Sequence, residues 1–157
     1  MRSVCNSSNA LVTRTQELSD TRTKFAGELT PRQTQRALLA ARITALANSA
    51  KSASAQILNI RQAGPTRYSG QLLGVSRALT LSEAHLRKIA LKVAQLPIGD
   101  RDNWAVSLRD LSSEKGYADG TAALTSFKKA IFKGSIGARL KESARHEYSC
   151  RTLLGSR

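Results

Sequence analysis

Apolar residues recur at alternating steps of four and three along the middle of the first half of the chain. They are Leu39, Ile43, Leu46, Ala50, Ala53, Ile57 and Ile60. This spacing places them on one stripe of an α-helix. Pro31 suits the first helical position, because its missing N–H group would have no helical partner there, and Gly64-Pro65 ends the pattern. We therefore predict one long helix from Pro31 to about Gln62.

The stripe admits two interpretations. It packs inside an intramolecular bundle, or it pairs two copies of the chain as a homodimer through residues 39–60. Later segments repeat helical spacing and supply the other members of a bundle. Their core positions are Leu86, Ile89, Val93 and Leu96, then Trp104, Leu108 and Leu111, then Leu124, Phe127 and Ile131, and finally Leu140, Ala144 and Tyr148.

The helix that carries Leu86 has a sequence-level start signal. Thr80 precedes Glu83 by three residues, as in a capping box, and Glu83 with Arg87 makes an i,i+4 pair. The later segments are interrupted around Gly134 and Gly137. The predicted fold is all-α: a small bundle of four or five helices with one long helix in its N-terminal half.

The first 29 residues differ from the rest, because they are rich in Ser, Thr and Asn without a sustained apolar period. We interpret residues 1–29 as a flexible leader and residues 30–157 as a single helical domain. Aromatic residues make up only 4% of the chain, which favours helices over sheets. No apolar run approaches the roughly 20 residues that span a bilayer, so we expect no integral membrane association.

Two cysteines, Cys5 and Cys150, lie far apart in the sequence, and neither has a Cys or His at metal-ligand spacing. We expect two free thiols in a reducing compartment, with a Cys5–Cys150 disulfide as the alternative if the two segments meet. The expected location is the cytoplasm. The alternative is secretion into a host cell without a cleaved signal peptide.

The charge is strongly positive, with 25 Lys and Arg against 11 Asp and Glu, a formal net charge of +14. No acidic residue occurs from Leu29 to Ser82. The cations of that segment are Arg32, Arg36, Arg42, Lys51, Arg61, Arg67 and Arg77. A second basic run comprises Lys128, Lys129, Lys133, Arg139, Lys141 and Arg145. Because like charges without local counter-ions favour an anionic partner, these are the predicted nucleic-acid or anion-binding residues.

The sequence offers no argument for an enzyme. His85 and His146 each lack a nucleophile or carboxylate in a recognised catalytic spacing, and no phosphate-binding loop, nucleophile elbow or metalloprotease motif occurs. We predict a non-enzymatic protein without metal or cofactor. Tyr68 begins a YxxQ pattern, Tyr68 to Gln71, that would serve as a modification site if the protein entered a eukaryotic cell.

The segment from Leu72 to Arg77 resembles the turn of a bacterial helix-turn-helix, with Gly74 as the turn glycine. Ser69, Thr80 and Glu83 fall where that motif needs buried aliphatic residues. The alternative is a short helical turn that packs Leu72 and its neighbours into the bundle.

Two functions fit these patterns. The first is a basic helical protein that binds nucleic-acid backbone, DNA or RNA, as a regulatory or accessory factor. The second is a secreted bacterial or viral effector that binds host proteins, with the leader as its delivery signal. An acidic protein surface is the alternative partner to nucleic acid.

Overall fold

The computed structural model of the chain describes residues 2–25, 31–63, 69–99, 104, 106, 109–110 and 134–154. Helix α1 spans Arg2–Phe25, α2 spans Arg32–Ala63, α3 spans Ser69–Gln95 and α4 spans Gly134–Arg145. A 3-10 turn, Tyr148–Cys150, and a single helical turn, α5 at Arg151–Leu154, follow α4. Among these residues there is no strand, which confirms the predicted all-α class.

The long central helix is confirmed as α2. It begins one residue after Pro31, whose carbonyl accepts a 3.0 Å hydrogen bond from the backbone N–H of Gln35. The end at Ala63 immediately precedes Gly64, the predicted stop signal. Local sequence signals at the two ends therefore determine the length of this helix.

Helix α2 lies between α1 and α3 and runs antiparallel to both. Glu17 of α1 contacts Arg42, whereas Arg36 near the start of α2 contacts Leu96 just beyond the end of α3. The apolar stripe of α2 is buried from Leu39 to Ile57, with Ile60 half-buried. The partners of the stripe are Val4, Leu11 and Leu18 of α1 and Leu72, Val75, Leu79, Leu86, Ile89, Ala90 and Val93 of α3. The stripe thus packs inside the bundle, as the first of the two interpretations predicted, and a homodimer through residues 39–60 stays a prediction.

The buried side of α2 carries small side chains, and one of them hydrogen-bonds to α3. Ala47, Ala50 and Ala53 are at most 1% exposed. Beside them, the Ser54 hydroxyl lies 2.8 Å from that of Ser76 and donates a 3.1 Å hydrogen bond to the Ser76 carbonyl. Because buried polar groups are costly unless paired, these hydrogen bonds allow serines to occupy a close-packed interface.

The prediction of a flexible leader is wrong for residues 2–25. They form α1, in which Val4, Leu11 and Leu18 are buried in the main core and Phe25 packs against it. These four residues recur every seven positions, which keeps one narrow apolar seam on α2. Because Ser, Thr and Asn dominate the composition of this segment, its composition alone does not indicate the apolar seam.

The helix-turn-helix resemblance at Gly74 does not hold, because α3 runs without a break from Ser69 to Gln95. Leu72 and Val75 are buried in the core, in agreement with the alternative that packs this segment into the bundle. Thr80 is in the helix interior, where its hydroxyl donates to the Ser76 carbonyl at 3.1 Å, so it does not form a capping box. The Glu83–Arg87 pair is confirmed, with 2.8 Å between Oε1 and Nε. Leu86, Ile89 and Val93 are buried as predicted. The core periodicity that continues from Leu72 onward outweighs the helix-breaking tendency of Gly74.

Later core predictions have mixed outcomes. Trp104 and Ala144 are buried, as expected, but Tyr148 is 80% exposed and was wrongly assigned to the core. Helix α4 begins at Gly134, whose φ of 71° suits glycine, and passes through Gly137 without interruption. Leu108, Leu111, Leu124, Phe127 and Ile131 lie outside the described residues.

Candidate binding surfaces

Two of the predicted anion-binding residues, Arg32 and Arg36, contact the chain itself. Arg36 Nη1 donates a 2.9 Å hydrogen bond to the carbonyl of Leu96, and Arg32 Nη1 donates to the carbonyl of Gly99. Carbonyl groups at and after a helix C-terminus lack helical donors, so they are natural partners for arginine. Both side chains thus hold the segment that follows α3 against the start of α2.

Arg42 also has an internal partner. Glu17 Oε2 lies 2.7 Å from Arg42 Nη1 and 2.6 Å from Arg14 Nη1. The hydrogen bond from Arg14 holds the pKa of Glu17 below its ordinary value, and the charge of Arg42 acts in the same direction. Helix α1 therefore supplies the counter-ion that the acid-free segment lacks in its own sequence.

The other predicted cations of this segment point to no single surface. Lys51 on α2 and Arg77 on α3 are exposed, and Arg61 near the end of α2 is half-buried. Arg67 and the candidate modification site Tyr68 lie outside the described residues. Since three of the six described cations contact other parts of the chain, the segment does not form the continuous basic stripe that its sequence suggests.

Arg77 belongs to a different surface, the outer side of α3. The α3 face, as we define it, consists of Arg77, Leu81, Lys88, Leu91 and Lys92, and all five are exposed. Their steps of four, seven, three and one keep them opposite the buried Leu72–Val93 side of the helix. The solvent side of α3 therefore combines cations with large apolar side chains.

The two leucines are unusually exposed for their size, with Leu81 at 61% and Leu91 at 64%. At 1.5 Å per residue they are about 15 Å apart along the helix. Glu83 is the one acidic residue in the sequence of α3, and it pairs with Arg87, which also donates a 2.9 Å hydrogen bond to Asn48. The α3 face thus contains three cations and no acidic residue.

The C-terminal basic run is described in part. Arg139, Lys141 and Arg145 are exposed on α4, and Arg145 lies 2.8 Å from Glu142. The guanidinium of Arg151 lies 4.6 Å from the centroid of the Tyr148 ring, a cation–π contact at the surface. Lys128, Lys129 and Lys133 lie outside the described residues, so their arrangement stays a prediction.

A disulfide joins Cys5 of α1 to Cys150 of the 3-10 turn, and both residues are fully buried. The expectation of two free thiols is therefore wrong. The two cysteines meet because α1 packs on the bundle and the segment after α4 contacts the first two turns of α1. Alongside the bond, Asn9 Nδ2 donates a 2.8 Å hydrogen bond to the Ser149 carbonyl, and Arg2 Nε lies 3.1 Å from Glu147 Oε2.

The histidines lie apart from each other. His85 is half-buried on α3, and His146 is exposed after α4, with its Nε2 at 3.9 Å from Glu142 Oε1. Within the described ranges, no three His, Cys, Asp or Glu side chains gather as metal ligands would. A groove of about 310 Å³ lies between α1 and α2, lined by Ser7, Ala10, Arg14, Ala45, Asn48, Ser49 and Ser52.

The fold and surfaces define a small all-α protein with a central three-helix core and a disulfide that fixes its C-terminal segment to α1. No protein-family model matches the chain, and the comparisons with curated proteins and with solved structures found no similar protein. None of the described helices combines the length and the apolar content that crossing a bilayer requires.

The sequence did not single out Leu81, Lys88, Leu91 or Lys92 as functional residues. The acid-free segment ends at Ser82. Arg77 therefore lies inside that segment and Lys88 and Lys92 outside it, so the distribution of charge along the sequence does not group the three cations. Helical spacing could have identified these residues, because positions half a turn away from the core residues Leu86 and Val93 lie together on the solvent side of the helix.

Proposed function

We propose that the protein is a non-enzymatic binding protein whose α3 face docks an acidic protein surface. The observation that carries this proposal is the exposure of Leu81 and Leu91 between Arg77, Lys88 and Lys92. Protein interfaces combine apolar anchors with complementary charge at their edges. A nucleic-acid backbone attracts the cations but offers little to two exposed leucines.

The disulfide supports the secreted alternative for the location of the protein. Disulfides persist in oxidising compartments and are rare where thiols are kept reduced. Alkylation of free thiols followed by mass measurement, on protein taken from the producing cells and from their medium, tests this. Two alkylated cysteines in both samples would contradict secretion into an oxidising environment.

The binding proposal is tested by NMR titration of the full chain with a synthetic helical peptide that carries Glu and Leu on one face. We expect shift changes in α3 centred on Leu81 to Lys92. The Leu81→Ala/Leu91→Ala variant should weaken binding at least tenfold, because each leucine contributes about 1–3 kcal/mol when buried. Val12→Ala is the matched control, since Val12 is a 55% exposed apolar residue on α1.

Charge-reversal variants and a scrambled peptide distinguish the contribution of charge to binding from that of the apolar contacts. Arg77→Glu/Lys88→Glu should also abolish binding, whereas Lys51→Glu, an exposed charge reversal on α2, should leave most of it. A peptide of the same composition in scrambled order should bind poorly. Equal binding of both peptides, or shift changes that avoid α3, would contradict a specific acidic-protein site.

Nucleic-acid binding is the second candidate, favoured by the net charge of +14 and the exposed cations Arg77 and Lys88. It predicts binding to duplex DNA or RNA whose log K falls with log[salt] by about 0.9 for each phosphate neutralised. In that case Arg77→Glu/Lys88→Glu abolishes binding but Leu81→Ala/Leu91→Ala does not. The leucine variant therefore distinguishes the two partners.

A further inference from the structure

Among the described residues, the C-terminal segment from Gly134 to Leu154 contacts α1 near the start of that helix. Three covalent or polar contacts define this junction: the Cys5–Cys150 disulfide, the Asn9–Ser149 hydrogen bond of 2.8 Å and the Arg2–Glu147 ion pair of 3.1 Å. All three lie in the first two turns or so of α1. The junction is therefore a compact attachment point on that helix.

The junction has its own small apolar cluster, distinct from the main core. Cys5, Ala144 and Cys150 are buried together, and Leu154 packs against them. The main core instead contains Val4, Leu11 and Leu18 of α1 with the facing stripes of α2 and α3. Loss of the junction thus removes little of what holds α1, α2 and α3 together.

We propose that the disulfide is a redox-controlled attachment, whose reduction releases residues 134–154 from α1 while the three-helix core stays folded. A dithiol reductant supplies the two electrons. Its thiolate attacks one cystine sulfur to give a mixed disulfide, and its second thiol then displaces the remaining cysteine. Cys5 and Cys150 end as thiols, each with one proton, and the reductant ends as its own disulfide.

Access to the sulfur atoms makes the reaction conditional. Both cysteines are fully buried, so a reductant reaches them only when the segment opens locally. The Asn9–Ser149 and Arg2–Glu147 contacts oppose that opening because both cross the junction. They therefore slow reduction, and weakening them accelerates it.

Release changes the charge that the protein presents. The segment carries Arg139, Lys141, Arg145 and Arg151, with Glu142 and Glu147 in opposition. In the oxidised form Glu147 faces Arg2, and the segment lies against α1. In the reduced form the segment moves independently, so its exposed cations no longer keep a fixed position relative to α1.

Hydrogen exchange measured by mass spectrometry, with and without dithiothreitol, tests the proposal on the full chain. After reduction we expect protection to fall in residues 134–154 and in the first turns of α1, and to persist in α2 and α3. Cys5→Ser/Cys150→Ser should show the reduced pattern under both conditions. Unchanged protection of 134–154 in protein whose two thiols are shown by mass to be reduced would overturn the proposal. Simultaneous loss of protection in α2 and α3 would overturn it as well.

The rate of reduction provides a second readout. Arg2→Ala/Asn9→Ala should be reduced at least several-fold faster than the unmodified protein, because fewer contacts oppose local opening. Lys141→Ala is the matched control, since Lys141 is exposed in the same segment, and its rate should be unchanged. Equal rates for all three proteins would show that the junction contacts do not control access to the sulfur atoms.

Discussion

The indole Nε1 of Trp104 donates a 2.8 Å hydrogen bond to Oε1 of Gln35, and both residues are 4% exposed. Gln35 lies at the end of the first turn of α2, so the hydrogen bond attaches Trp104, a residue beyond α3, to the central helix. Gln35→Leu should destabilise the protein by about 1–3 kcal/mol, because it leaves a buried N–H group without its acceptor. The tryptophan is the only one in the chain, which allows its fluorescence to report unfolding in urea.

Variants of both partners test whether the expected loss of unfolding free energy comes from the Trp104–Gln35 hydrogen bond. Trp104→Phe removes the donor, and the double variant Trp104→Phe/Gln35→Leu removes both partners. We expect the double variant to lose less than the sum of the single losses, since residues in direct contact are not additive. Circular dichroism follows unfolding where the tryptophan is absent. Additive losses would show that the two side chains act separately.

Ala50 tests how closely the helices of the core pack. It is fully buried in the stripe of α2. Ala50→Leu adds volume to a packed interior and should cost about 1–3 kcal/mol. In thermal unfolding this corresponds to a decrease of several degrees in Tm at about 2–4 °C per kcal/mol. Ala41→Leu, on the exposed side of the same helix, is the control and should change Tm little.

Glu17 makes the stability of the protein depend on pH in the acid range. Its pKa is lowered in the folded protein, chiefly by the hydrogen bond from Arg14, so the folded state favours the ionised carboxylate. The stabilisation is present above the unfolded-state pKa and is lost as the pH falls through the folded-state pKa. Glu17→Gln should therefore reduce the loss of stability on acidification, measured by urea unfolding at a series of acid pH values.

A control is needed for the change in net charge that this variant introduces. Asp20→Asn removes a carboxylate from the same helix, one that accepts a hydrogen bond from Gln16 rather than from an arginine. Arg42→Met tests the second partner and should reduce the contribution of Glu17 without abolishing it, because Arg14 remains. An identical pH profile for the unmodified protein and Glu17→Gln would contradict the assignment.

Removing the disulfide should lower stability against unfolding of the whole chain. The bond closes a loop with a sequence separation of 145, and the chain-entropy estimate for a loop of this size is about 4–5 kcal/mol. Cys5→Ser/Cys150→Ser should therefore unfold at a clearly lower urea concentration than the oxidised protein. Equal midpoints would show that the bond does not constrain the unfolded chain.

The sequence predicted the parts of the fold that depend on local periodicity. Leu39, Ile43 and Leu46 repeat at helical spacing with large side chains, so α2 was identified with both ends within a few residues. In α1 large buried apolar residues recur only once in seven positions, at Val4, Leu11 and Leu18, and most of the intervening positions are polar. Such a helix depends on packing against α2 for its stability, and one apolar residue in seven is only a weak sequence signal for that packing.

The binding surfaces were less predictable because they depend on which residues meet. Charge counting assigned Arg42 to an anion site, but Glu17 from another helix neutralises it. Likewise, sequence separation says nothing about whether Cys5 and Cys150 are close. Contacts between distant segments are properties of the folded chain, and a single sequence without its structure does not reveal them.

The position of the disulfide has a mechanical consequence. Tension applied to the chain outside residues 5 and 150 passes through one sulfur–sulfur bond and leaves the intervening helices unloaded. The oxidised protein therefore resists extension by pulling from outside that bond, and it enters any narrow channel as two strands side by side. Passage as a single thread requires that the bond be reduced first.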